Sequence, residues 1–324
     1  MPLHPQAEAA IRIAGDLPSG LVPAELRRVY TAQRITMLPP APSIHSVFDA
    51  SIPAPDGPVS ARFYRPHDDE KALPLLVFFH GGGWILGSID GYDTVCRRLS
   101  LKGDCAVLSV DYRLAPETTF PGAVEDAYAA TLWAARNASK LRIDPTAIAV
   151  GGDSAGGNLA AVLAQMSHES REFDVALQVL IYPCTDMSRE YPSYVRNASG
   201  YMLTRAAMNW FISTYVPNAA DRLDPRASPM LRPDLSGLAP ALIIGAEFDP
   251  LVDDNEAYAL KLQQAGVPTK YVCFPGMHHP FFTLGAYIDD AATAEDLIAA
   301  ELRALADSAR DDPGVTAYRQ SATP

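Results

Sequence analysis

Apolar and polar positions change rhythm several times along the chain. In "VSARFYR" (59–65) the two classes alternate, the period of a strand with one covered face. "PLLVFF" (74–79) and "CAVLSV" (105–110) are short, nearly unbroken apolar runs, as expected of strands covered on both faces. "AIAV", "ALQVLIY", "ALIIG" and "KYVCF" read as further strands. Between these runs the apolar positions fall at helical spacing, in "DGYDTVCRRLSLK", "GAVEDAYAATLWAARN", "NLAAVLAQMS", "NEAYALKLQQAG" and "TAEDLIAAELRALADS". Strands alternating with helices predict an α/β fold, a mostly parallel central sheet with helices on both faces.

Two segments stand outside this rhythm. The first 45 residues are helix-like with breaks and end at the proline cluster Pro39, Pro40 and Pro42. From about Thr185 to Asp221 a loop leads into the helix-like "RAAMNWFISTYV" with no strand. We expect residues 46–184 and 222–311 to form the core, and 1–45 with 185–221 to form a helical cap over it. The polar end, 312–324, reads as a loose tail.

The chemistry sits where strands end. After the apolar "IAV" comes "GGDSAGGNLAAVL", which places Asp153 and Ser154 between two pairs of glycines at a strand–helix joint. Gly152 to Gly156 match G-x-S-x-G. A serine on so sharp a turn needs neighbours without side chains two positions either side, and the helix behind it favours developing negative charge. A phosphate-binding reading of the same glycines is weaker: Gly151 and Gly156 have the spacing of a P-loop, but Gly157 and Asn158 stand where Lys and Ser/Thr are required. In "FFHGGGWILG", His80 precedes Gly81, Gly82 and Gly83 directly after a strand. Bare backbone there can turn N–H groups toward a small volume, as an oxyanion site demands.

A serine nucleophile needs a base, and the base needs an orienting carboxylate. Of seven histidines, His4, His45 and His67 lie in proline-rich or polar connections, His80 belongs to the glycine loop, and His168 ends a helix. His278 and His279 remain, in "FPGMHHPFF" after a strand, where open parallel sheets place their sites. Asp249 in "GAEFDPLVDD" also follows a strand. Glu247, Asp253 and Asp254 compete with it, the last two read as caps of the next helix. The chain order is then serine, acid, histidine.

Composition narrows the partners. A net charge of −12 over 324 residues argues against nucleic acid or an anionic membrane as partner. No apolar run reaches the roughly 20 residues of a membrane span. The start lacks the basic and apolar regions of a signal peptide. Cys96, Cys105, Cys184 and Cys273 are widely spaced, which fits reduced thiols in a cytoplasmic protein and no zinc site.

With "HGGGW", "DYRLAPE", "GDSAGGNLA", "DPLVDD" and "PGMHHPF" in this order, the chain resembles the hormone-sensitive-lipase-like family of α/β-hydrolase esterases. It looks closest to the bacterial acetyl esterases. The resemblance covers about Leu75 to Phe282. It implies the α/β-hydrolase fold with a helical cap, Ser154 as nucleophile, His279 as base and Asp249 as orienter. It implies the N–H groups of Gly82, Gly83 and Ala155 as oxyanion hole. Neither cofactor nor metal is needed, and the partner is a small-molecule ester; a homodimer stays open. The family usually has glycine after its histidine, and Pro280 stands there in this chain. Aligning Gly276, Met277 and Phe281 with the family's pattern puts His279 in the base position and leaves His278 at the entrance or solvated. Bulky Trp84, Trp210, Phe211 and Tyr215 are the expected substrate contacts, limiting acyl chains to about two to six carbons. Amide or carbamate hydrolysis, and a receptor that does not turn over its ligand, are the rival readings.

Overall fold

The computed structural model describes residues 2–15, 20–68 and 71–311, with side chains through residue 306; the expected tail 312–324 lies outside the described residues. One eight-stranded sheet organises them. Its strands are β1 (Ser46–Ile52), β2 (Val59–Arg65), β3 (Leu73–Phe79), β4 (Ala106–Asp111), β5 (Ile143–Asp153), β6 (Leu177–Ile181), β7 (Ala241–Phe248) and β8 (Thr269–His278). The order across the sheet is β1-β2-β4-β3-β5-β6-β7-β8. β2 runs antiparallel to both its neighbours, and every later pairing is parallel.

The unbroken apolar runs make the central strands. All seven residues of β3 are buried. Alternate side chains leave a strand on opposite faces. Leu75, Val77 and Phe79 join one core, and Leu76 and Phe78 join the other. The first core packs under α4 (Gly122–Arg136), α6 (Ala155–Ser170) and α9 (Val252–Gln264); the second packs under α3 (Asp93–Gly103) and α10 (Asp290–Asp311). Each such Leu, Val or Phe contributes about 1.5–3 kcal/mol relative to exposure. A charge at Val77 would therefore open the sheet at its centre.

β1 is a strand the periodicity did not predict. It is an edge strand, largely open to solvent, so its apolar signal is weak. The remaining α-helices among the described residues are α1 (Pro5–Ala14), α2 (Pro23–Met37), α5 (Ala138–Leu141), α7 (Pro192–Arg196) and α8 (Arg205–Tyr215). Proline at the first turn starts α1, α2 and α7, where its missing N–H costs nothing. Thr204 caps α8 by accepting from the Ala207 amide at 3.1 Å. α1, α2 and α8 reach the C-terminal ends of the parallel strands and enclose a cavity there.

Candidate active site

β5 ends at Asp153, and α6 begins at Ala155. Ser154 between them has φ 56° and ψ −116°, a backbone that non-glycine residues rarely adopt. The turn is held by the Ser154 amide donating to the Ile181 carbonyl at 2.8 Å and by the Asn158 amide donating to the Ser154 carbonyl at 3.0 Å. The flanking glycines are steric necessities. A Cβ at Gly152 or at Gly156 would run into the backbone carbonyl of Phe79. The G-x-S-x-G spacing is thus read directly in the packing of β5 and α6 against β3.

Asp249 lies just beyond β7 and is fully buried. One carboxylate oxygen accepts from the Leu251 amide at 2.8 Å, and the other meets His279 Nδ1 at 2.8 Å. A carboxylate only accepts, so the shared proton belongs to Nδ1 and Nε2 is left as the basic nitrogen. The Asn197 side chain donates to the Asp249 carbonyl at 2.9 Å and steadies the loop. The Tyr182 ring lies 4.3 Å from the His279 ring and fixes it from one side.

His278 is not at an entrance. It ends β8 and is fully buried, with Nδ1 donating to the His279 carbonyl at 2.9 Å. Burial lowers its pKa, favouring the neutral ring. Neighbouring residues at a strand end point apart, and of the two histidines it is His279 that lines the cavity.

The competing acids go elsewhere. Glu247 accepts from the Gly276 amide at 2.7 Å. Asp253 and Asp254 are not caps. They lie inside the first turn of α9 and reach outward, Asp253 to the Ser193 amide and Arg196, Asp254 to Thr185. Asp153, the acid beside the serine, is engaged elsewhere than on His279: it accepts from the Gly81 amide at 2.8 Å and from Tyr92 Oη at 3.0 Å.

Gly82 and Gly83 have φ of 122° and 61°. The loop closes through the Gly82 carbonyl, which accepts from the amides of Ile85 (3.2 Å) and Leu86 (2.9 Å). A Cβ at Gly83 would strike the Phe211 ring. Ser154, His279, Gly82, Gly83 and Phe211 all line one cavity of about 620 Å³, together with Leu86, Met202 and Arg34. A larger, shallower groove of about 770 Å³ runs along α2 past Arg27 and Glu117 and carries none of these groups.

Of the expected substrate contacts, Phe211 reaches the cavity and the others do not. Trp84 is buried and stacked on Tyr215, rings 4.9 Å apart and nearly parallel, so both are spent in packing α8 onto the glycine loop. Trp210 sits on the outer face of α8, 44% exposed. Its ring packs against the Phe211 ring, centroids 5.0 Å apart, and backs that ring without lining the cavity itself. Arg34, a further cavity residue, and Thr283, which it hydrogen-bonds, belong to no motif of the sequence.

Residues 76–283 match the family described as the alpha/beta hydrolase fold. That span holds the glycine loop, the serine turn, Asp249 and His279. The chain is a hormone-sensitive-lipase-like α/β-hydrolase. It is 46% identical to the carboxylic ester hydrolase LipN of Mycobacterium tuberculosis over 81% of this chain and 71% of that one. It is 42% identical to the ethyl acetate hydrolase of Pseudomonas putida, over 82% and 85% of the two chains. The solved structure of a hyperthermophilic esterase from the archaeon Pyrobaculum calidifontis superposes with TM-score 0.88 at 41% identity, covering 94% of this chain and 99% of that one. Among the described residues no helix is long and apolar enough to cross a membrane.

Proposed function

We propose that this α/β-hydrolase cleaves short-chain acyl esters through Ser154, His279 and Asp249. That it is a carboxylic ester hydrolase follows from the family it belongs to. The observation that carries the finer reading is one arrangement: Ser154 and His279 face the same cavity, and His279 holds its proton on the nitrogen bonded to Asp249. His279 Nε2 takes the Ser154 proton as the oxygen attacks the ester carbonyl. The tetrahedral oxyanion accepts from the amides of Gly82, Gly83 and Ala155, each worth about 3–4 kcal/mol in the transition state. The alcohol departs with the proton from His279, and water frees the acyl group by the same steps in reverse.

Residues 46–184 and 222–311 serve in this reading as the catalytic core, and 1–45 with 185–221 as the cap. Phe211, Met202 and Leu86 narrow the cavity beside the serine, which supports acyl chains of about two to six carbons. The ethyl acetate named for the relative from Pseudomonas putida agrees with this range. The test is kcat/KM across an ester series from acetyl upward, with Ser154→Ala alongside. A maximum within the short chains, and a folded Ser154→Ala protein with almost no turnover, is expected. A maximum at about ten carbons or more, or activation at an oil–water interface, would make the protein a lipase.

A further inference from the structure

Helix α2 sends one guanidinium into the protein at the wall of the cavity. Arg34 is 5% exposed. Its Nη2 donates to Tyr30 Oη at 2.8 Å and to Tyr92 Oη at 3.2 Å, and its Nη1 donates to Thr283 Oγ1. The direction of every bond in this cluster is fixed by chemistry. A guanidinium only donates, so the Tyr92 and Thr283 hydroxyls accept from it and keep their own hydrogens. Tyr92 Oη donates to Asp153 Oδ2 at 3.0 Å. Thr283 Oγ1 donates to the Pro280 carbonyl at 3.0 Å.

Two branches therefore grow from one side chain. The first ends on the Gly81 amide, which donates to Asp153 Oδ1 at 2.8 Å and reaches Tyr92 Oη at 3.1 Å. Gly81 is the residue before Gly82 and Gly83. The second branch ends on Pro280, the residue after His279. Asp153 is fully buried; burial pushes its carboxyl up, and the Arg34 charge is the leading influence against that.

We propose that Arg34 is a positioning residue that holds the glycine loop and the histidine loop in register across the reacting ester. The inference rests on the catalytic reading of Gly82, Gly83 and His279 given above. It makes α2 part of the machinery as well as a wall of the cavity. The planar fork is what the geometry uses, because two separate branches need two nitrogens in fixed relation. A lysine offers one point charge and cannot root both.

The test uses the full chain and steady-state kinetics on a short-chain ester. Variants are Arg34→Gln, Arg34→Lys, Tyr92→Phe, Thr283→Val and the two double variants with Arg34→Gln, with Ser154→Ala in the same series. Arg34→Gln should lose roughly 100-fold in kcat with KM within about threefold, because misplacing reacting groups by about 1 Å costs that much. Arg34→Lys should recover less than about tenfold of this loss. Tyr92→Phe and Thr283→Val should each lose about tenfold in kcat alone, and less than about twofold when Arg34 is already replaced. A merely structural role would lower thermal stability without this coupling.

A folded Arg34→Gln protein with kcat within about threefold of native, a loss confined to KM, or branch effects that are the same with and without Arg34 would overturn the inference. If Arg34→Gln does not fold, Tyr92→Phe and Thr283→Val decide alone: lowered kcat at unchanged KM supports it, native kcat in both overturns it. Activity in Ser154→Ala would instead overturn the catalytic reading itself. An inactive Ser154→Ala with indifferent Arg34 variants would remove the inference and leave that reading standing.

Discussion

The floor and the roof of the cavity are built by different means. Ser154, Asp249 and His279 each stand one residue beyond β5, β7 and β8, three strands of one hydrogen-bonded sheet. Phe211, Met202 and Tyr30 come from helices and the loop before α8. The roof is tied down at a few points: the Trp84–Tyr215 stack, the Phe120 amide donating to the Tyr215 carbonyl at 2.9 Å, and the Arg34 cluster. β5 and β7 are bonded on both sides and β8 on one, where Asp249 adds a hydrogen bond to His279, and such anchoring holds side chains within the tenths of an ångström that bond-making requires. Helices held at isolated contacts can differ in what they admit without disturbing the chemistry below.

The largest expected effect falls on the floor and separates two adjacent residues. His279→Ala should lower kcat by about 10⁴-fold, because triad members act as a unit. His278→Ala should cost about tenfold or less in kcat and show mainly as lower thermal stability, since it empties a buried site. The reverse ranking would move the base one residue along the chain.

A second change asks whether floor and roof are separable at all. Gly83→Ala puts a methyl into the Phe211 ring at a backbone angle that disfavours it. A loss of about 100-fold in kcat is expected from the displaced oxyanion donor. Adding Phe211→Ala should restore part of that activity if the roof ring is the obstacle. No restoration would assign the whole loss to the strained backbone.

Within the roof the effects shrink and change kind. Phe211→Ala should cost less than about tenfold on an acetyl ester and shift the kcat/KM maximum toward longer acyl chains. Trp210→Ala removes a half-exposed ring that backs Phe211 from 5.0 Å away without lining the cavity, and should cost less than Phe211→Ala, within about threefold across the series.

The change with the smallest effect on turnover, felt in stability instead, lies where residues 185–221 leave the sheet. Asp254 on α9 is fully buried against Thr185, and burial pushes its carboxyl from 3.8 up to about 7. Between those values the folded chain holds a proton that the unfolded chain has released. Native stability therefore falls as pH rises through that window, by at most about 1.4 kcal/mol per pH unit. Asp254→Asn should be spared this fall. Melting curves at pH 5 and pH 8 should show the native protein losing ground relative to the variant. Parallel behaviour would mean that Asp254 is ionised throughout.

The floor was legible in the sequence because its geometry demands particular residues. Only glycine fits at positions 152 and 156 against the Phe79 carbonyl, so the serine turn is written as a motif. The apolar runs β3, β5 and β7 point to the loops they carry. The roof has no such constraint. Trp84, Trp210 and Tyr215 were sensible large residues for a pocket wall, yet helix phase and stacking partners decide which side chain enters, and neither is local to the sequence. Arg34 shows the same limit from the other side: it looks like one more surface cation on an amphipathic helix until Tyr92, Asp153 and Thr283 are brought to it from more than 50 residues away. β1 carries little apolar signal because only Ile52 of its seven residues is buried.

The account stands or falls on Ser154 as the nucleophile beside His279. The direct measurement is treatment with a slow aryl phosphonate ester, followed by residual activity and peptide mapping by mass spectrometry. One adduct per chain on Ser154, formed in step with the loss of turnover and slowed by a competing short-chain ester, is the predicted result. Complete inactivation with Ser154 unmodified, or a fully modified Ser154 in an enzyme that still turns over esters, would contradict it.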